Sequence, residues 1–200
     1  MPIPTGKAAD WVGPDQRTWH DEWVVAFDPD WAVHAAGPGA PRSPLSLAGA
    51  LGSDLIAGSA PPIEVLFAGV LTNAGELDPT ASLTSAAIVA RLVATDGADA
   101  FARLRGPFAA IVWDGRTRRL FVARDQVGLQ PLFIARSEGR WHFAGAPQPL
   151  VSLPGVSRAV DAVAFAEWIC GWYPAIEDTA YRDVKRVPPA TVTVFDGGNI

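Results

Sequence analysis

The thirty residues from Leu104 to Phe133 constrain the fold more than any other part of the chain. Phe108–Trp113 is an apolar strand, and Asp114-Gly115-Arg116-Thr117 is turn chemistry. Leu120–Ala123 is a second strand, Gly128 marks a bend, and Leu132–Ala135 is a third. Ser137-Glu138-Gly139 then turns the chain into Trp141–Ala144. Short strands at hairpin spacing pair antiparallel, so antiparallel pairing rather than βαβ units is expected here.

The flanks agree with a mixed α+β domain. Trp23–Phe27 and Trp31–Ala35 read as strands around Asp28-Pro29-Asp30, and residues 37–44 as loop. Ile63–Leu71 is a strongly apolar strand behind the breaker Pro61-Pro62, and Asn73–Pro79 is a turn region. Thr84 or Ser85 can cap a helix that places Ile88, Val89, Leu92 and Val93 on one face and ends at Gly97. A second short helix carries Phe101 and Leu104 and stops at Gly106-Pro107. Asp161 can cap a third, to about Cys170, with Val163, Phe165, Ala166 and Ile169 as apolar positions. Thr191–Phe195 is a last strand, followed by turn residues 196–199. A turn with no strand after it implies that the chain is a fragment or that the natural protein continues. Residues 1–21 have no period and are read as an irregular extension; Trp11 and Trp19 suggest that it packs on something.

Composition excludes several functions. Hydrophobic residues make up 49% and charged residues 18%, which suits a sizeable core. The net charge is -5, and the densest basic run, Arg116, Arg118 and Arg119, is better explained by a hairpin turn than by nucleic acid. A single cysteine, Cys170, excludes internal disulfides and thiolate clusters, and His20, His34 and His142 lack ligand spacing. There is no signal-peptide pattern or bilayer-length apolar run, so the expected location is cytoplasmic, with no membrane partner.

The run Leu104-Arg105-Gly106-Pro107-Phe108-Ala109, the strand ending Trp113-Asp114, and Arg124-Asp125 followed by Gly128 and Pro131-Leu132-Phe133 resemble the glutaminase domains of asparagine synthetases. Phe67-Ala68-Gly69 with Asn73 is similar to that family's Phe-Asn-Gly-x-x-x-Asn segment. Ser85–Gly97 has the length of its helix beginning Asp-Thr-Glu; Phe143-Ala144 and Arg186-Val187-Pro188-Pro189 extend the match. The resemblance covers residues 22–200 and implies an Ntn-type αββα sandwich of two antiparallel sheets between helices. It assigns Arg105, Gly106, Phe108, Trp113, Asp114, Arg124, Asp125, Gly128 and Pro131 to the family's structural motif. Taken singly, Gly106 also reads as a helix C-cap, Trp113 as core and Arg124-Asp125 as a surface pair.

The same resemblance exposes what is missing. In that family an N-terminal cysteine attacks the glutamine amide, with its own α-amino group as base. Here residues 1 and 2 are Met and Pro, and no cysteine lies near the first strand. Cys170 is read as a small buried apolar residue. Ala68 stands where the family's oxyanion-donating Asn would be, leaving only Gly69. Ser85 stands where an Asp would hold the substrate amine, and Arg42 has surroundings too different to inherit the carboxylate-binding role. Ala68, Gly69, Asn73 and Ser85 are therefore expected to be a vestigial glutamine site with no catalytic residue. Pro2, Thr5 and Thr18 could serve as nucleophiles only after processing.

The expected function is that of an inactive glutaminase-like domain in an ATP-dependent amide-forming enzyme, of the glutamine-independent type seen in β-lactam synthetases and lasso-peptide cyclases. Its partner would be an asparagine-synthetase-like C-terminal domain, in cis or trans. ATP and Mg would belong to that domain, whose Ser-Gly-Gly-x-Asp-Ser loop does not occur here; no cofactor or metal is expected in this chain. A stand-alone module holding a peptide or small molecule in the old cleft is a second reading, and a working amidotransferase with an unrecognised nucleophile a third.

Overall fold

The computed structural model describes residues 24–27, 45–48, 55–60, 63–172 and 176–196. The predicted strand at Trp31–Ala35, the 37–44 loop, the Pro61-Pro62 breaker and the 1–21 extension lie outside them. The chain forms two compact units. Each has its own five-stranded sheet with every neighbouring pair antiparallel, so the α+β class with two antiparallel sheets and flanking helices is what this chain adopts.

Among the described residues, the first unit takes 55–60, 63–131 and 188–196 and contains β3 (Leu55–Ala60), β4 (Ile63–Gly69), β5 (Phe108–Asp114), β6 (Arg119–Arg124) and β10 (Val192–Asp196), in the order β10-β6-β5-β4-β3. Side chains alternate across a strand, so Val65 and Phe67 of β4 share a face with Ala110 and Val112 of β5. They meet Ile88, Val89 and Val93 of α2 (Ser85–Asp96) in one buried cluster. The predicted apolar face of this helix is thus its packed face. Of its two candidate caps, Thr84 fills the position, its Oγ1 accepting from the Ala87 N–H at 3.2 Å. Gly97 closes the other end with φ 59°, conformational freedom that glycine supplies without strain.

Three local expectations change. The Asn73–Pro79 turn contains a one-turn helix, α1 (Ala74–Leu77). The second short helix is a 3₁₀ segment, Gly97–Arg103, which ends before Leu104 rather than at Gly106-Pro107. Gly106 does not cap it: its φ is +114°, and an added Cβ would lie 2.4 Å from the Val70 carbonyl oxygen.

Among the described residues, the second unit takes 24–27, 45–48, 132–172 and 176–187 and contains β1 (Val24–Phe27), β2 (Leu45–Ala48), β7 (Phe133–Ser137), β8 (Arg140–Ala144) and β9 (Val184–Arg186), in the order β2-β1-β8-β7-β9. Val24, Ala135, Ala144 and Val184 pack with Leu150 and Val151 of α3 (Pro147–Val151) and with Val156. The helix predicted after Asp161 is α4 (Ala162–Ile169); the Asp161 carboxylate accepts from the N–H groups of Val163 and Ala164, both at 3.2 Å. Among the residues of α4 only Ala164 is buried. Cys170, expected to be buried, is exposed, because the helix turns its apolar side chains away from its own unit.

Candidate functional site

Ala68 and Gly69 sit at the end of β4, beside the start of β5. Ala68 is opposite Ala109 and Gly69 opposite Phe108 in the antiparallel register. Ala68 is buried and lies on the face of β4 opposite Phe67. Regular pairing stops at Gly69, two residues before the predicted end, but the backbones stay joined. The Val70 N–H donates to the Pro107 carbonyl at 2.8 Å, and the Thr72 N–H to the Arg105 carbonyl at 2.9 Å.

Two glycines make this approach feasible. Gly69 has φ +106°, and a Cβ there would fall 2.2 Å from the Pro107 carbonyl oxygen. Gly106 faces it from the other chain segment with the clash described above. Only a residue without Cβ fits either position.

Asn73 then locks the loop. Its Nδ2 donates to the Arg103 carbonyl at 3.0 Å, and its Oδ1 accepts from the Arg105 N–H at 3.0 Å. Both ends of the amide are occupied with backbone, so Asn73 acts as a clamp between two loops. Arg105 turns its guanidinium back onto the carbonyls of Ala102 and Leu104, at 2.7 and 3.0 Å. Ser85 is the first residue of α2 and half-buried. Its neutral hydroxyl leaves that helix start with no acidic residue in the first turn.

Sequence reasoning passed over two residues that hold this end together. Gln126 donates through Nε2 to the Leu104 carbonyl at 2.9 Å. Asp78 is buried and accepts from the N–H groups of Ser82 and Leu83, each at 2.9 Å, fixing the approach to α2. The Thr80 hydroxyl hydrogen bond is the main cause that keeps the Asp78 carboxyl below its usual range; burial opposes it, and the Ser82 and Leu83 N–H groups and the Arg91 charge assist. An acid followed by Thr-x-Ser is the turn chemistry that could have revealed Asp78.

The Arg124-Asp125 pair is a buried staple, not a surface pair. Asp125 is fully buried; its carboxylate accepts from the N–H groups of Val127, Leu129 and Gln130 at 3.1, 3.0 and 2.9 Å. Burial pushes this carboxyl up, but those three donors outweigh burial and hold it below the usual carboxylate range. Its backbone N–H donates to Phe108, and its carbonyl accepts from Gly128 and Ala190. The Arg124 guanidinium donates to the carbonyls of Gln130 and Gly128 at 2.8 and 2.6 Å. Gly128 has φ +68°, and a Cβ there would press on the side chains of Pro189 and Arg124. Pro131, half-buried, follows directly on this loop.

Asp114 plays a similar part at the opposite end of β5. It is buried and takes the Arg116 backbone N–H and guanidinium at 2.9–3.0 Å. Arg116 in turn donates to the Ala94 carbonyl at 2.8 Å, satisfying the C-terminal end of α2. Arg119 pairs with Asp196 at 2.6 Å. The basic run is therefore spent largely on the β5–β6 hairpin and its neighbours. Trp113, buried in β5, lies opposite Leu120.

Among the described residues, no group of three or more His, Cys, Asp or Glu side chains could hold a metal ion, and no helix is long and apolar enough to cross a membrane. The single thiol, on Cys170, follows α4 in the second unit, whereas Ala68, Gly69, Asn73 and Ser85 all belong to the first.

Comparison with known proteins gives this arrangement a family. A Mycobacterium tuberculosis protein described as an asparagine synthetase (glutamine-hydrolyzing) is 37% identical over 94 residues, 46% of this chain and 14% of that protein. Asparagine synthetase (glutamine-hydrolyzing) 3 of Bacillus subtilis is 30% identical over 106 residues, 51% of this chain and 17% of its own length. The chain thus matches less than a fifth of either relative. Among solved structures, glutamine phosphoribosylpyrophosphate amidotransferase from B. subtilis aligns over 89% of this chain and 43% of that one, with 15% identity and a TM-score of 0.44. The family model described as a glutamine amidotransferase domain matches residues 75–200, well over half of the sequence. The chain belongs to the glutamine amidotransferase domain family.

Proposed function

We propose that this domain no longer hydrolyses glutamine and serves as the scaffold of an asparagine-synthetase-like, ATP-dependent amide-forming enzyme that uses an amine already in its substrate. The observation that carries the reading is the contrast at β4: the glycine-dependent backbone of the site is intact, but Ala68 presents a methyl group where an amide donor would be needed. Removal of one oxyanion donor typically costs about 3 kcal/mol in the transition state. Loss of the attacking thiol removes the covalent route altogether. Cys170 lacks the free α-amino group that would serve it as base, since it lies within the chain.

Ser85 adds a third change, replacing a carboxylate that would pair with the substrate ammonium by a neutral hydroxyl. Substrate ammonium and amide would each lose a partner. Glutamine-derived ammonia is dispensable when the acceptor amine is built into the substrate, which is the chemistry of β-lactam synthetases and lasso-peptide cyclases. ATP and Mg would be bound by the synthetase-type partner, not by this domain.

The test is covalent trapping with a glutamine analogue that alkylates N-terminal nucleophiles, followed by intact mass measurement. The protein should remain unlabelled. Stoichiometric labelling would refute the reading and would locate the nucleophile.

A further inference from the structure

Hydrophobic helices that are apolar on most sides belong inside a protein. The eight residues of α4, Ala-Val-Ala-Phe-Ala-Glu-Trp-Ile, include seven apolar ones, yet only Ala164 is buried. Val163, Phe165, Trp168 and Ile169 are 42–69% exposed, and Trp172 and Ile176 just beyond them are 73% and 60% exposed. Large apolar side chains exposed together in this way mark an interaction surface, whereas singly scattered ones do not.

This segment is firmly based. Val160 forms a bridge with Tyr181, the Asp161 N–H donates to Ala180, and the Arg182 N–H to Ala159. Lys185 ties Asp178 at 2.7 Å and Asp161 at 3.8 Å. The Trp172 N–H returns to the Glu167 carbonyl at 2.8 Å. The helix is a fixed projection from the second unit.

Its shape selects the occupant. Residues along a helix are about 100° apart, so the exposed apolar positions run from Trp168 through Phe165, Ile169 and Ala166 to Val163, an arc of about 220°. A single helix–helix contact covers a stripe of about 100°. A second copy of this helix, itself convex, leaves half of the arc wet. Covering it takes a groove that holds the helix on three sides, hence a larger folded body. In both relatives named above, more than four-fifths of the length lies outside the matched segment.

We infer that α4 with Trp172 and Ile176 is the docking element of this chain, seated in a groove of the synthetase-type domain. This rests on the scaffold reading above and specifies its contact surface. Paired aromatic anchors are the usual energetic centre of such interfaces, and the Phe165 and Trp168 rings lie 6.3 Å apart here.

The experiment places a photo-crosslinking phenylalanine analogue at Trp168 of the intact protein in the cells that make it, with an amine-reactive crosslinker applied in parallel. Irradiation should raise crosslinks from position 168 to peptides of a domain carrying a Ser-Gly-Gly-x-Asp-Ser loop by about tenfold over the dark control, and a Trp172→Glu change should abolish the gain. If position 168 reaches a second copy, lipid or nothing, while amine crosslinks from elsewhere on this chain still reach such a domain, the docking inference is overturned and the scaffold reading stands. If neither crosslinker reaches such a domain, both are overturned.

Discussion

The Asp125 loop and the end of β4 belong to the same unit, yet their side chains do different work. Around Asp125 the residues serve the backbone: three N–H groups on one carboxylate, two carbonyls on the Arg124 guanidinium, and a glycine of positive φ where a Cβ would press on Pro189 and Arg124. At the end of β4, Gly69 and Asn73 serve the backbone in the same way. On the proposed reading, Ala68 and Ser85 are the positions whose side chains would face glutamine.

The sharpest way to break that comparison is to insert a methyl group where the backbones touch. Gly69→Ala and Gly106→Ala place a Cβ 2.2 and 2.4 Å from carbonyl oxygens, so each should cost about 3–5 kcal/mol in denaturant unfolding. A loss below about 1 kcal/mol would mean that this loop does not constrain the fold.

Asp125→Asn comes next, at about 2–3 kcal/mol, because a neutral amide cannot receive three N–H groups as a carboxylate does. The pH dependence has a definite sign. The Asp125 pKa is lower in the folded protein, so its contribution is complete above the unfolded value near 3.9 and disappears as pH falls through the folded value. The variant should therefore lose less stability than wild type on acidification below about pH 4. Equal acid slopes would remove Asp125 from this role.

Asn73→Ala should cost about 1–2 kcal/mol, since it frees a carbonyl and an N–H in a partly exposed loop. Ala68→Asn sharpens the other side of the comparison. It restores a donor without a nucleophile, so glutamine hydrolysis should stay at background; a gain in turnover would show that a nucleophile is present.

The smallest effect concerns His142 on β8. Its Nδ1 is buried without a hydrogen-bond partner, and burial lowers its pKa, assisted by Arg140 and opposed by a Ser137 main-chain hydrogen bond and by Glu138. Folding therefore favours the neutral ring. Its contribution is complete above about pH 6.5 and shrinks as pH falls toward the folded value. His142→Phe should remove that part of the pH dependence, measured as the difference in unfolding midpoint between mildly acidic and neutral buffer.

Much of this was legible in the sequence because local chemistry and tertiary packing agree. The α2 cap, its apolar face and its terminal Gly97 satisfy helix rules on their own, and the β5–β6 and β7–β8 hairpins carry their own turns, but nothing local shows that β6 and β7 belong to different sheets. Other elements were not legible. β3, Leu-Ile-Ala-Gly-Ser-Ala, is poor in strand-forming residues and is defined by pairing with β4. β9 has three residues, too few for a period. Asn73–Pro79 has turn composition, but the Asn73 side chain is committed to Arg103 and Arg105 and cannot make an Asx turn, and the backbone closes one helical turn instead. Periodicity found α4 but could not say what covers it, which is why Cys170 was misread as buried. The candidate site rests on the resemblance of short motifs; Gln126 and Asp78 were not legible, since their roles depend on loops brought together only by folding.

The most direct test of the central claim is to incubate the purified protein with glutamine, assay glutamate and ammonia, and record an intact mass of the same sample. The account predicts no release above background and an N-terminus not processed to a nucleophile. Turnover well above background, with a mass locating a processed or acylated residue, would contradict it.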